Sequence, residues 1–178
     1  MKIYFVRHGQ TEHNKAGKVT GHIESVLTPE GIAQAQKTAT ELPPDFSIIY
    51  SSDLIRCKQT AEILNQKLQL PVIFDPRLRE RNFGSLEGKS WSEIGEDIRE
   101  VDKNQQYDYR PFGGEYVEDV KKRIFDFIRE ISRTEKGKKV LVVTSAGVIR
   151  LLHNILNGEV HEHVHNAAVH EFDFPEKF

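Results

Sequence analysis

A single cysteine, Cys57, stands in 178 residues, so no internal disulfide framework is available and a reducing compartment is implied. Beside Arg56 it reads as a half-buried helical thiol rather than a reactive one. Charge of one sign is not in excess either: 25 Lys and Arg face 27 Asp and Glu, for a net charge of -2. That balance excludes the broad basic footprint of a nucleic-acid binder and requires any anion site to be local. Long hydrophobic runs are also missing. The opening MKIYFVRHGQ holds four consecutive apolar residues before Arg7, far short of a signal h-region or a membrane span. The expectation is a soluble, cytoplasmic protein without nucleic-acid or membrane partners. No repeat, low-complexity run or linker interrupts the chain, and 38% hydrophobic content supports one core, hence one domain over residues 1–178.

What is present is an alternation of short apolar runs and amphipathic stretches. Lys2 to Val6 reads as a buried strand that stops at a Gly-containing loop. Thr28-Pro29-Glu30 supplies an N-cap, a proline at the first helical position and an early acid for a helix to about Leu42. Ile48 to Tyr50 is a second strand, and Ser51-Ser52-Asp53 is expected to cap a helix whose Leu54, Ala61, Leu64 and Leu68 share a face. Val72 to Phe74 follows as a strand. Ser90 to about Val101 is weakly helical, its charges between Glu93 and Lys103 reading as a solvated face, and Asp102 to Gly114 is a polar connector. Glu115 to Ser132 is strongly helical, with Val117, Val120, Ile124, Phe127, Ile128 and Ile131 on one stripe. Val140 to Thr144, almost wholly apolar, is a central strand covered on both faces; Ala146 to Leu156 is a helix and Val169 to Phe174 a last strand. This order predicts an α/β three-layer sandwich, a mostly parallel sheet with helices on both faces, and ligand binding at the carboxyl ends of its strands.

The first strand ends in Arg7-His8-Gly9-Gln10-Thr11-Glu12-His13-Asn14. A guanidinium offers fixed donors matched to phosphate oxygens, glycine admits close backbone approach, and the Asn14 amide can donate. A neutral imidazole oriented by backbone can attack phosphorus.

The stretch matches the R-H-G-x-T-x-x-N signature of the histidine phosphatase superfamily, which includes the cofactor-dependent phosphoglycerate mutases. Ser51 to Ala61 resembles that family's second block, with Arg56 at its phosphate-binding arginine. Leu78-Arg79-Glu80-Arg81-Asn82-Phe83-Gly84-Ser85-Leu86-Glu87-Gly88 resembles the block that carries the proton-donating carboxylate, which falls on Glu80. Leu27 to Gly31 and Gly113-Gly114-Glu115 extend the likeness over nearly the whole chain, which looks nearest to the small α-ribazole and broad-specificity phosphatases.

The resemblance implies an enzyme that hydrolyses a small phosphate monoester, with His8 as nucleophile, Arg7 and Arg56 gripping the transferring group and Glu80 protonating the leaving oxygen. Arg79 and Arg81 would oppose protonation of Glu80 if they faced it, and alternation is expected to turn them away. Asn14, Thr20, Gly21, Ser145 and Ala146 are expected on the substrate side. No metal and no cofactor are implied, and oligomeric state stays open.

The last family block departs from its pattern. Val142-Val143-Thr144-Ser145-Ala146-Gly147 places Ser145 where the family carries a second phosphate-binding histidine, by natural change or by engineering. The expected result is weakened transition-state stabilisation, by about 3 kcal/mol if the loss equals one oxyanion donor. Two alternatives follow: a phosphate-ligand-binding protein with little turnover, or a mutase-type phosphotransferase. His161, His163 and His165 alternate in a way that would suit zinc on an extended segment, but a solvated loop is the expected state; His13 and His22 are pocket-wall candidates.

Overall fold

Strand and helix alternate through a computed structural model that describes residues 1–161 and 163–175. In chain order the elements are β1 (Lys2–Arg7), α1 (Glu12–Lys15), α2 (Pro29–Glu41), β2 (Ile48–Ser51), α3 (Ile55–Leu68), β3 (Val72–Phe74), α4 (Glu96–Lys103), α5 (Val117–Thr134), β4 (Val140–Thr144), α6 (Ala146–Asn157) and β5 (Val169–Asp173). The sheet order is β3-β2-β4-β1-β5. β1 to β4 pair in parallel, and β5 runs antiparallel to β1 at the edge.

Alternation of side chains across the sheet divides the core into two layers. Ile3, Phe5, Ile48, Tyr50, Val140 and Val142 face α5 and α6, where the expected stripe of α5 from Val117 to Ile131 is buried in full. Val6, Ile49, Leu141 and Val143 face the other way, onto Ala39 and Leu42 of α2 and Cys57, Ala61 and Leu64 of α3. The result is the three-layer α/β sandwich that the pattern predicts. Every residue of β4 is buried, so both its faces pack on helices and its carboxyl end stands at the centre of the sheet edge where the loops after β1, β2 and β4 meet.

Several local expectations fail for identifiable reasons. α3 begins at Ile55 with Leu54 as its N-cap, and no side chain of the Ser51-Ser52-Asp53 segment caps it. Glu24 Oε2 accepts from the Ile55 N–H at 2.7 Å instead, and Asp53 is drawn off into an ion pair with Arg79. The weak helix after Ser90 breaks at Gly95 and restarts as α4. The polar connector is partly buried, with Asp102, Tyr107 and Tyr109 inside and Gln106, Asp108 and Arg110 exposed, and Cys57, expected half-buried, is buried in full. The four-residue α1, held by a reciprocal Thr11–Asn14 capping box, has no hydrophobic period for the sequence to reveal.

Candidate active site

Arg7 and His8 stand where β1 leaves the sheet. The His8 N–H donates to Thr144 O at 3.0 Å, locking the loop onto the end of β4, and Asn166 Nδ2 and the Ala167 N–H donate to His8 O. The His8 ring is 4% exposed, and its Nδ1 lies 2.7 Å from Gly9 O. A carbonyl oxygen only accepts, so Nδ1 carries the hydrogen and Nε2 keeps its lone pair. Burial, then the Arg56 and Arg7 guanidinium groups, push the imidazole well below its ordinary pKa, so it is neutral at physiological pH.

Gly9 is required by contact rather than by conformation: a Cβ there would lie 2.3 Å from Gly31 O. That close approach seats the His8 loop on the start of α2.

Two guanidinium groups flank the imidazole. Arg56 is 1% exposed and is held by Gly21 O at 2.6 Å and Ile23 O at 3.0 Å. Arg7 donates through Nη1 to Val164 O. The Nε–H groups of both arginines are buried without a hydrogen-bond partner among the described residues. Burial depresses the Arg7 guanidinium to about 10; Glu80 opposes the fall while Arg56 and Arg150 add to it. A buried donor without an acceptor costs free energy, and an anion that reached these two groups would recover it.

Glu80 closes the fourth side. Its Oε1 accepts from the Arg81 N–H at 2.8 Å and from Arg81 Nη1 at 2.9 Å, and its Oε2 accepts from the Gly147 N–H at 3.1 Å. The His22 and Arg123 side chains donate to its carbonyl and fix its backbone. Burial alone would raise this carboxyl, but the Arg81 guanidinium, the two backbone N–H groups and Arg56 outweigh it and hold the pKa below the usual carboxylate range. The expected turning-away of Arg81 is therefore wrong, because this segment is irregular backbone with no strand alternation to impose it. Arg79 does turn away, onto Asp53.

Arg81 is also the link in a buried chain. It donates to Asp102 at 2.7 to 2.9 Å, and Asp102 further accepts from Tyr109 at 2.6 Å and Arg150 at 3.2 Å. The Phe83 and Tyr107 rings sit against the Arg81 guanidinium at 4.7 and 5.2 Å.

These groups line a cavity of about 540 Å³. Among the expected residues, Arg7, His8, Asn14, Thr20, Gly21, Arg56, Glu80 and Ala146 all reach it. Asn14 Oδ1 is occupied by the Thr11 N–H and by Asn166 Nδ2. Ser145 does not line the cavity: it is 1% exposed, and its Oγ has no hydrogen-bond partner among the described residues beyond the Cys57 thiol it leans on. Burial raises the Cys57 thiol to about 11, with Arg56, Ser52 and Ser145 pulling against the rise. That thiol is inert.

Lys18, Arg81, Arg99, Lys103 and Arg150 join Arg7 and Arg56 around the cavity, against Glu80 and Asp102, so seven basic side chains face two acids. A chain of net charge -2 thus has a locally basic cavity, as a site for an anion requires. Arg99, Asp102 and Lys103 lie in a charged run that reads as a solvated face, and α4, with Val101 exposed, carries no apolar period to signal their inward turn. His163 also lines the cavity, whereas His13 and His22 do not. The alternating histidines part company: His161 stacks on His153, His165 is exposed, and the intervening Glu162 lies outside the described residues.

Comparison with known proteins accords with this geometry. The chain is 37% identical over 159 residues to a metal-independent phosphoserine phosphatase of Arabidopsis thaliana, covering 85% of this chain and 67% of that protein. It is 32% identical over 156 residues to the adenosylcobalamin/alpha-ribazole phosphatase of Escherichia coli K12, covering 85% and 77%. Other relatives carry phosphoglycerate mutase in their names. Among solved structures, a mycobacterial glucosyl-3-phosphoglycerate phosphatase complexed with VO3 superposes with a TM-score of 0.86 at 26% identity, over 96% of this chain and 90% of that one. The model of the histidine phosphatase superfamily, branch 1, matches residues 3–177, and the chain belongs to that family.

Proposed function

We propose that the protein is a metal-independent phosphomonoesterase that takes the phosphoryl group of a small phosphorylated metabolite onto His8 Nε2. One observation carries the reading: a neutral imidazole, its Nδ1 tied to Gly9 O, stands between two buried guanidinium groups whose Nε–H donors lack partners among the described residues. An incoming phosphate supplies the missing acceptors, and Arg7 and Arg56 spread their charge over its equatorial oxygens while Nε2 attacks in line.

The leaving oxygen needs a proton, and the resting Glu80 carboxyl is held in its ionised form. A substrate dianion changes that balance. It occupies the Arg56 charge that favours the carboxylate and places negative charge beside Glu80, so substrate binding raises the proton affinity of that group. Protonated Glu80 gives its proton to the departing alkoxide as the P–O bond breaks and the N–P bond forms. Water then attacks the phosphohistidine, the N–P bond breaks, and the proton of that water returns to Glu80.

A second reading, a phosphate-ligand binder with slow turnover, is favoured by the withdrawal of Ser145 from the cavity. Hydrolysis of p-nitrophenyl phosphate in excess EDTA separates the two. The expected result is measurable turnover that EDTA does not reduce and that falls by about 10⁴-fold in His8→Ala. Turnover abolished by EDTA, or equal in wild type and His8→Ala, contradicts the proposal.

A further inference from the structure

Away from the cavity, three imidazoles and a carboxylate gather where α6 ends. His153 lies in the last turns of that helix, and Gly158, at φ +69°, reverses the chain there. The Gly158 N–H donates to Asn154 O at 3.1 Å and the Glu159 N–H to His153 O at 3.4 Å. Glu159 and His161 consequently fold back over His153. The His161 ring stacks on the His153 ring with centroids 3.8 Å apart. His161 Nε2 is 2.9 Å from Glu159 Oε2, and His153 Nδ1 is 3.7 Å from the same oxygen. One ligand atom from each of the three residues lies within 4.8 Å of the others.

The two separations from Glu159 bracket what a small cation demands, and the stacked imidazole rings would turn apart to aim both nitrogens at one ion. Two nitrogen or oxygen ligands, each about 2.1 Å from a tetrahedral ion, stand about 3.4 Å apart. Two imidazoles with one carboxylate form a donor set suited to zinc, leaving the fourth position to water.

The surroundings fit as well. His153 Nε2 lies 2.9 Å from His170 Nδ1 on β5, so a His153 ring bound through Nδ1 donates its remaining N–H to His170, an outer hydrogen bond that orients the ligand. The twelve residues of α6 direct the negative end of their dipole toward the cluster. Arg150 Nε holds His161 O at 2.9 Å, so the returning loop is fixed on the helix that bears His153. Asn157 Nδ2, 3.3 Å from His153 Nδ1, is the contact an ion would displace.

We propose that His153, Glu159 and His161 bind one divalent transition-metal ion, zinc by donor type, at a site separate from the phosphoryl-transfer cavity, with His170 orienting His153. The ion would clamp the segment after α6 to the helix end.

Untagged protein stripped with EDTA and titrated calorimetrically with Zn²⁺ tests this. One equivalent is expected to bind, with an affinity lowered at least about tenfold in His161→Ala and in Glu159→Gln. Glu159 is exposed, so its variant keeps the fold. His8→Ala is expected to bind as wild type, and bound Co²⁺ to show the intense visible absorption of a four-coordinate ion. Absence of binding at millimolar Zn²⁺, wild-type affinity in both cluster variants, or loss of binding in His8→Ala overturns the proposal. None of these readouts depends on turnover, so the site stands or falls apart from the assigned activity.

Discussion

Replacing Arg81 by Met together with Asp102 by Asn should turn Glu80 into a more readily protonated acid. Arg81 is 3% exposed and touches Glu80 Oε1 at 2.9 Å, while its other nitrogens are spent on Asp102. A guanidinium and a carboxylate 4 Å apart attract by about 4 kcal/mol at an effective dielectric of about 20. Asp102 shares that charge, and the N–H groups of residues 81 and 147 still donate to Glu80, so about a third of the attraction is the conservative estimate of what is lost. Since about 1.4 kcal/mol is a factor of ten, the protonated fraction of Glu80 at neutral pH rises about tenfold. The carboxyl also becomes a weaker acid, which returns part of the gain, leaving about three- to tenfold in rate.

The assay exploits the leaving group. An alkyl phosphate such as phosphoserine needs the proton, whereas p-nitrophenolate leaves without it. The kcat/KM ratio of the alkyl to the aryl substrate at pH 7 to 8 should rise about three- to tenfold in the double variant, because the alkaline limb of the alkyl profile moves upward in pH while the aryl profile stays. Removing Arg81 alone would leave the buried Asp102 only the longer Arg150 contact and the Tyr109 hydroxyl, a loss bounded by the about 3 to 5 kcal/mol of a broken buried pair, which is why the two are changed together. An unchanged ratio across that pH range, with aryl activity intact, would refute the electrostatic account of Glu80.

Two further expectations follow. Ser145→His restores a long cationic donor at the end of β4 and should raise p-nitrophenyl phosphate turnover at least about tenfold; an equal or lower rate would show that the orphaned Oγ position cannot deliver an imidazole to the cavity. Gly147→Ala places a Cβ 1.5 Å from Arg81 Nη1 and 2.1 Å from Glu80 Oε1, so it should cut kcat at least about tenfold by driving Glu80 out of position, whereas full activity would mean that this hydrogen-bonded corner yields without consequence.

How much of this was legible in the sequence differs from element to element. Val140 to Thr144 could be read as a central strand because burial on both faces demands an unbroken apolar run, and α5 because its stripe keeps helical period over eighteen residues. Arg7, His8 and Arg56 could be placed because the first two are fixed by the end of β1 and the third by a recognisable block. Asp102 could not. Its burial depends on Arg81, twenty-one residues earlier, and on Arg150, forty-eight later, and nothing in its own charged neighbourhood marks it as paired. Ser145 is expected to face a ligand because its family counterpart does, yet the short side chain at the N-cap of α6 stays in the interior. The histidine segment misled through its period: two-residue alternation predicts one shared side only for extended chain, and the turn at Gly158 sends His161 back to His153 instead.

The central claim is a phosphoryl group carried on one nitrogen of one residue. Rapid quench of the enzyme with radiolabelled substrate, followed by peptide mapping, tests it most directly. The account predicts an acid-labile, alkali-stable label on His8 that appears and decays at rates consistent with turnover and is missing from His8→Ala. Steady hydrolysis without any such label, or a label mapped to another residue, would contradict it.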